Sequence, residues 1–226
     1  SVADGAANTT TKQRFAVLLV ATYDSDATVD ANAMKYAKAA AIGAIQDPIA
    51  LFDEQRDMLS LPAIKALKSS DSKLYALLEV FQQKQLADYE ALAGGNALDA
   101  SWGLDADSCL SNIRILTLCT IASSNDVASN DNVLPYSTIA KSLSLADGGS
   151  DGNSSEVETW IIKAMNSGLL QAKMDQLNKV LIVERAVLRK FEMEQWKQLQ
   201  TKLQSWKSHV QSVLAAYQQQ QVQQQQ

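Results

Sequence analysis

A single histidine and two cysteines in 226 residues leave this chain few of the groups on which enzymes and metal centres are built. His209 falls on the Lys/Gln side of the last helical segment, with no Ser, Cys or Asp at a spacing that makes a triad, and it reads as a surface residue. Cys/His metal spacing, a phosphate-cradling Gly loop and a hydrolase elbow are all missing from the sequence. Two stretches approach a calcium loop without completing it. After Asp24, Asp26 and Asp30, the sixth position is Val29 and the twelfth Lys35; in Asp147 to Glu158, the third is Gly149, and the stretch reads as a Gly/Ser-rich loop. No catalytic residue, cofactor or metal is expected, and the chain is not expected to be an enzyme. No apolar run approaches the ~20 residues of a membrane span, and a signal-peptide pattern is missing. Asn8-Thr9-Thr10 and Asn153-Ser154-Ser155 fit the glycosylation pattern, but nothing points to secretion. Cys109 and Cys119 lie ten residues apart on one helical stretch, Asp107 to Ala122, where they cannot bridge each other; as packed, unpaired thiols they fit a reducing cytosol and a cytoplasmic protein.

What is present is a chain with 46% hydrophobic and 20% charged residues, enough to bury a sizeable core in one or two domains. Its net charge of −5 argues against a general polyanion binder, and the imbalance is local: about −8 ahead of Glu156 and about +3 from there to His209. The two ends of the molecule are therefore suited to different partners.

The first half reads as helices joined by short turns. Asn8 to Thr11 cap a helix carrying Phe15, Leu18 and Leu19; Val29 to Ile45 shows Met34, Ala37, Ala41, Ile42 and Ile45 on a face rich in Ala; Pro48 and Pro62 punctuate the stretch after it. Leu74, Leu77, Leu78 and Phe81, then Leu86, Tyr89 and Leu92, mark a pair of helices ended by Gly94-Gly95, and Gly94 to Trp102 reads as a loop. This is the outline of an α-solenoid without a clean repeat.

From Leu134 the pattern changes to helix, helix, hairpin, the order of a winged helix. Ser137 to Leu145 comes after the Pro135-Tyr136 turn; Ser154 to Ser167 has Ser at its start, Glu156 and Glu158 in its first turn and Gly168 after its end. Leu170 to Met174 alternates, the polar stretch Asp175 to Asn178 turns, and Val180 to Val183 is an apolar run. The helix that would enter a DNA groove has Lys163 against Glu156 and Glu158, so sequence-specific DNA reading is not expected. Lys173, Lys179, Arg185, Arg189 and Lys190 make the hairpin and the adjoining turn locally basic, a solvated face or a contact to RNA phosphates.

The last helix carries the plainest signal. Trp196, Leu199, Leu203, Trp206, Val210, Val213 and Tyr217 alternate by three and four residues over roughly three heptads, the coiled-coil period, with Gln, Lys and Ser elsewhere. At ~1.5–3 kcal/mol for each fully buried large side chain, such a seam calls for cover, either by the chain's own domain or by helices of other chains. The Gln-rich stretch Gln218 to Gln226 reads as a frayed extension or a disordered tail.

Lys173-Met174-Asp175-Gln176 at the hairpin, Arg189-Lys190-Phe191, and Gln195-Trp196 with Leu199, Leu203 and Trp206-Lys207 resemble the end of a PCI domain, the module shared by the proteasome lid, the COP9 signalosome and translation initiation factor 3. Within that group the spacing is most similar to the m-subunit family of initiation factor 3, ungapped from Ala172 to Lys207. Asp47-Pro48 leading to Phe52-Asp53, and Leu78 to Phe81 with Leu86 and Tyr89 beyond, resemble its helical part. The likeness spans most of the chain, more loosely before Ala40, and Ser123 to Asn132 and Ala146 to Asn153 are longer than its usual connections.

The resemblance implies a mainly α fold, with a helical-hairpin stack (1–107), a winged helix (108–190) and a C-terminal bundle helix with its tail (191–226). It implies a noncatalytic scaffold subunit among PCI and MPN neighbours of initiation factor 3, reaching the small ribosomal subunit through that complex. Assembly residues are then the seven of the seam and, on the wing, Lys173, Asp175, Gln176, Val180 and Ile182. A helical segment is expected ahead of Ser1. A signalosome or proteasome-lid PCI subunit, and a stand-alone RNA-binding winged helix, are the alternatives.

Overall fold

The computed structural model describes residues 2–23, 30–48, 57–93, 98–124, 132–145, 154–189 and 193–224, with side chains except at 2–10, 93, 194, 195, 198, 215, 216 and 218–224. The chain divides into two compact units, Ser1–Arg189 and Lys190–Gln226.

The first unit starts as packed helices: α1 (Val2–Ala21), α2 (Ala31–Gln46), α3 (Pro62–Ser70), α4 (Ser72–Gln83), α5 (Leu86–Ala93) and α6 (Ala106–Ala122). Helix α2 is started by Asp30, whose carboxylate accepts from the Ala33 amide at 2.7 Å, and its Ala33, Ala37, Ala40, Ala41 and Ala44 are all buried. Small side chains let α1 approach closely: a Cβ on Gly43 would meet Gln13 Cγ at 2.7 Å. Asp71 ends α3 and begins α4, accepting from the Leu74 amide and pairing with Lys38 at 3.1 Å. Leu74, Leu77, Leu78, Val80 and Phe81 of α4 are buried, and the Phe81 and Tyr89 rings meet edge to face at 6.0 Å. Thr117, fully buried on α6, accepts from the Leu86 amide at 3.1 Å and so satisfies a donor that the start of α5 leaves open. Asn112 of α6 donates to the Gln46 carbonyl at the end of α2.

Two expectations change at the start of the chain. Asn8 to Thr11 lie inside α1 rather than ahead of it. The core-facing residues of α1 are Val17 and Val20, while Phe15, Leu18 and Leu19 are exposed. Phe15 to Ala21 is apolar all round, so local periodicity does not choose a face; packing on α2 does. Phe52 and Asp53, the Gly94-Gly95 pair, most of both long connections and Asp147 to Asn153 lie outside the described residues.

The second half of this unit runs β1 (Val133–Pro135), α7 (Tyr136–Ser142), α8 (Ser154–Asn166), β2 (Leu170–Asp175) and β3 (Val180–Ala186). The sheet order is β1-β3-β2, antiparallel throughout. Strand β1 goes beyond the sequence expectation: three residues are too few to show alternation, and they pair with Val180 to Ile182. Leu134, Leu170, Ala172, Leu181 and Val183 turn into the core against α6 and α8, joining Ile139, Trp160 and Ile161. Gly168, at φ +77°, ends the α8 turn in the left-handed conformation that Gly adopts without strain. The layout is that of a helical stack leading into a winged helix.

The second unit is one long helix, α9 (Met193–Gln224). Its 32 residues span roughly 48 Å at ~1.5 Å per residue.

Candidate protein-interaction surfaces

The seam predicted from the spacing is displayed along α9. Trp196, Leu199, Leu203, Trp206, Val210, Val213 and Tyr217 are between 40% and 69% exposed. Leu214, which the three-four pattern leaves out, is 55% exposed and widens the stripe: it stands four residues after Val210 and three before Tyr217, on the same side. His209 is exposed, as expected of a surface histidine. Gln, Lys and Ser occupy much of the rest of this helix, and an exposed apolar stripe of this length is a candidate surface for packing.

On the wing, the hairpin is built as alternation predicts, and its outer face is half apolar. Across the three strands, Val133 faces Ile182 and Ile182 faces Lys173; at the other end of β1, Pro135 faces Val180 and Val180 faces Asp175. The Lys173 ammonium meets the Glu184 carboxylate at 2.7 Å, and this bond holds its pKa above the usual lysine range. A bulge between Gln171 and Ala172 leaves Glu184 and Arg185 both outward, which the apolar run Val180 to Val183 did not foretell. Asp175 closes the turn: its two oxygens accept from the Asn178 amide at 3.0 Å and the Asn178 side chain at 2.8 Å, and these bonds keep its carboxyl below the usual range. Gln176 donates to Glu158 of α8 at 3.0 Å, and Lys179 sits at φ +53°. The turn is thus fastened from two sides, and Leu177, which the sequence pattern does not single out, stands 92% exposed at its tip.

The charges of α8 are taken up within the fold. Lys163 lies 4.2 Å from the Trp160 ring centroid and Arg114 of α6 lies 5.1 Å from it, while Glu158 holds Gln176. Arg189, read from the sequence as part of a basic surface, turns inward instead. Its Nε donates to Thr120 Oγ1 at 2.8 Å and its Nη1 to the Phe81 carbonyl at 3.4 Å, and burial pulls its pKa down to about 10. Lys190 lies outside the described residues. Cys109 and Cys119 are buried and unbridged, their thiols pushed up to about 11 and about 12 by burial. Among the described residues no group of three or more His, Cys, Asp or Glu is placed to hold a metal, and no helix is long and apolar enough to cross a membrane.

A hairpin-ended helical fold running into a heptad helix matches two families end to end: residues 78–185 match the PCI domain, and residues 189–216 match the C-terminal helix of eIF3 subunit M. The chain belongs to the PCI-domain proteins, and resembles subunit M of eukaryotic translation initiation factor 3. The C-terminal match takes in the seam from Trp196 through Val213. Among curated relatives, eukaryotic translation initiation factor 3 subunit M of Phaeosphaeria nodorum is 32% identical over 213 residues, 92% of this chain and 45% of the relative. The Dictyostelium discoideum protein of the same name is 36% identical over 162 residues, 70% of this chain and 37% of its own length. That of Aspergillus oryzae is 37% identical over 156 residues, 67% and 31%. The chain therefore spans less than half the length of these subunit M relatives.

Proposed function

We propose that this PCI protein is a noncatalytic scaffold subunit of the initiation factor 3 complex, supporting assembly of the preinitiation complex on the small ribosomal subunit. The observation that carries the reading is the coincidence of the matched C-terminal helix, residues 189–216, with the exposed seam on α9. That seam enters a bundle with helices of other subunits. The outer face of the wing, with Lys173, Asp175, Gln176, Val180 and Ile182, meets a neighbouring winged helix. Division into helical stack (1–107), winged helix (108–190) and bundle helix (191–226) obeys the same logic. The partners are PCI and MPN subunits, the setting is the cytoplasm, and contact with the ribosome comes through the complex. A stand-alone RNA-binding role has less behind it, because Lys173 is held by Glu184 and Arg189 faces inward.

Tagging the full-length natural protein, purifying it gently, identifying the copurifying chains by mass spectrometry and tracking the tag through a sucrose gradient tests this. Initiation factor 3 subunits together with small-subunit co-sedimentation are expected. Lid or signalosome subunits without ribosomes would overturn the function while leaving the fold.

A further inference from the structure

Arg189, a cation of the first unit with two partners distant in sequence, lies where β3 gives way to the chain leading out of the hairpin. Val187, the residue after β3, donates its amide to the Leu169 carbonyl at 2.9 Å, and two residues later Arg189 reaches back into the helical layer. Its guanidinium meets the carbonyl-bearing ends of two helices. Phe81 is in the last turn of α4, whose terminal carbonyls have no partner within the helix, and Thr120 is in the last turn of α6. Both ends carry the partial negative charge of a helix C-terminus, so a cation there is favoured. Thr120 Oγ1 also donates to the Leu116 carbonyl at 2.8 Å, so that Arg189 Nε, the hydroxyl and that carbonyl form a polarised chain of hydrogen bonds. A planar guanidinium with several donors serves both acceptors at once, which an ammonium does not do in the same geometry. The partners stand 69 and 108 positions back in the sequence.

We propose that Arg189 is a positioning residue for assembly: it fastens the exit of the chain from the winged helix to the ends of α4 and α6, and so fixes the point from which the bundle segment departs. This rests on the assembly reading above and adds to it a residue that holds the end of the first unit in place. The family match for the C-terminal helix begins at Arg189 itself. The bonds of this fastening all lie within the first unit, so its release loosens residues 187–189 while the core stays folded.

The test uses the full-length protein as Arg189→Met, Thr120→Val, the double variant, Arg189→Lys, and Leu203→Asp with Trp206→Asp as a control. Native-state hydrogen exchange is measured on each purified chain, and copurification of the complex is measured in cells. At the Val187 amide, exchange is expected to rise roughly tenfold or more in Arg189→Met and in Thr120→Val, with little further rise in the double variant, while amides of α6 and of the β2–β3 ladder keep their protection. Arg189→Lys is expected to restore it only in part, and copurification falls with the loosening. Unchanged exchange at Val187 in Thr120→Val overturns the proposal even if Arg189→Met fails to fold. Loosened exchange with full copurification also overturns it. If the Leu203/Trp206 control copurifies fully, it is the bundle reading that fails, and the exchange results then stand apart from it.

Discussion

Replacing Thr117 by Val removes one hydroxyl from the interior and changes almost nothing in shape. Thr117 is fully buried, and its Oγ1 is the acceptor for the amide of Leu86, which is itself buried, at 3.1 Å. A judgement by burial alone favours Val, which is the more apolar of the two. The hydrogen-bond argument gives the opposite sign: Val leaves the Leu86 N–H without a partner and without water, which costs about 1–3 kcal/mol. The neighbouring acceptor does not compensate, because the Asp88 carboxylate already accepts from the Gln85 amide at 3.0 Å. Thr117→Ser keeps the hydroxyl and loses a methyl group, at about 1 kcal/mol. The expected order of stability is therefore wild type, then Ser, then Val. For a chain of this size a kilocalorie moves Tm by about 2–4 °C, so a Val variant near the middle of its range melts about 4–8 °C lower. Thermal unfolding by circular dichroism, with urea unfolding as a second reading, measures it. A Val variant as stable as wild type, or more stable than the Ser variant, would refute the account of how α5 is started.

Other outcomes rest on the same structure. Because burial pushes the Cys109 and Cys119 thiols up to about 11 and about 12, neither is expected to react with a chromogenic disulfide reagent at pH 7.5 in the folded chain, and both should react once it is unfolded in urea. Asp175, Asp105 and Asp99 are held below 3.8 by hydrogen bonds from Asn178, Ser108 and Ser101. The unfolded chain binds protons more readily than the folded one at these groups. Their stabilisation is therefore complete above pH 3.8 and is lost as the pH falls through their lower folded values, and an Asp175→Asn variant should show a shallower acid loss of Tm. Lys173→Ala should leave Tm unchanged within error, since its pair with Glu184 is exposed, so that any drop in copurification of this variant reports the wing interface rather than the fold.

How far the sequence discloses this arrangement depends on how local each cause is. The α9 seam and the Leu170 to Val183 hairpin are legible because periodicity of three and a half, or of two, needs only neighbours along the chain. The start of α2 is less so: Asp30 is its cap, yet its spacing from Asp24 and Asp26 points first to a would-be calcium ligand. Strand β1 escapes because Val133–Pro135 is a strand only by virtue of Val180 to Ile182, far along the chain. The buried face of α1 escapes because Phe15 to Ala21 offers apolar residues in every direction, and α2 decides among them. Arg189 reads as surface charge because nothing near it in sequence announces Thr120 or Phe81. At the candidate surfaces the same division holds. The seam residues come directly from spacing, whereas Leu177 at the fastened turn and Leu214 beside the seam need the fold to bring them into view.

The central claim is that the exposed α9 seam joins this chain to its complex, and the most direct measurement is copurification of initiation factor 3 subunits with the full-length protein carrying Leu203→Asp and Trp206→Asp. The account predicts that these subunits are lost while the near-ultraviolet circular dichroism and Tm of the winged-helix unit are retained. Undiminished copurification of the double variant would contradict it.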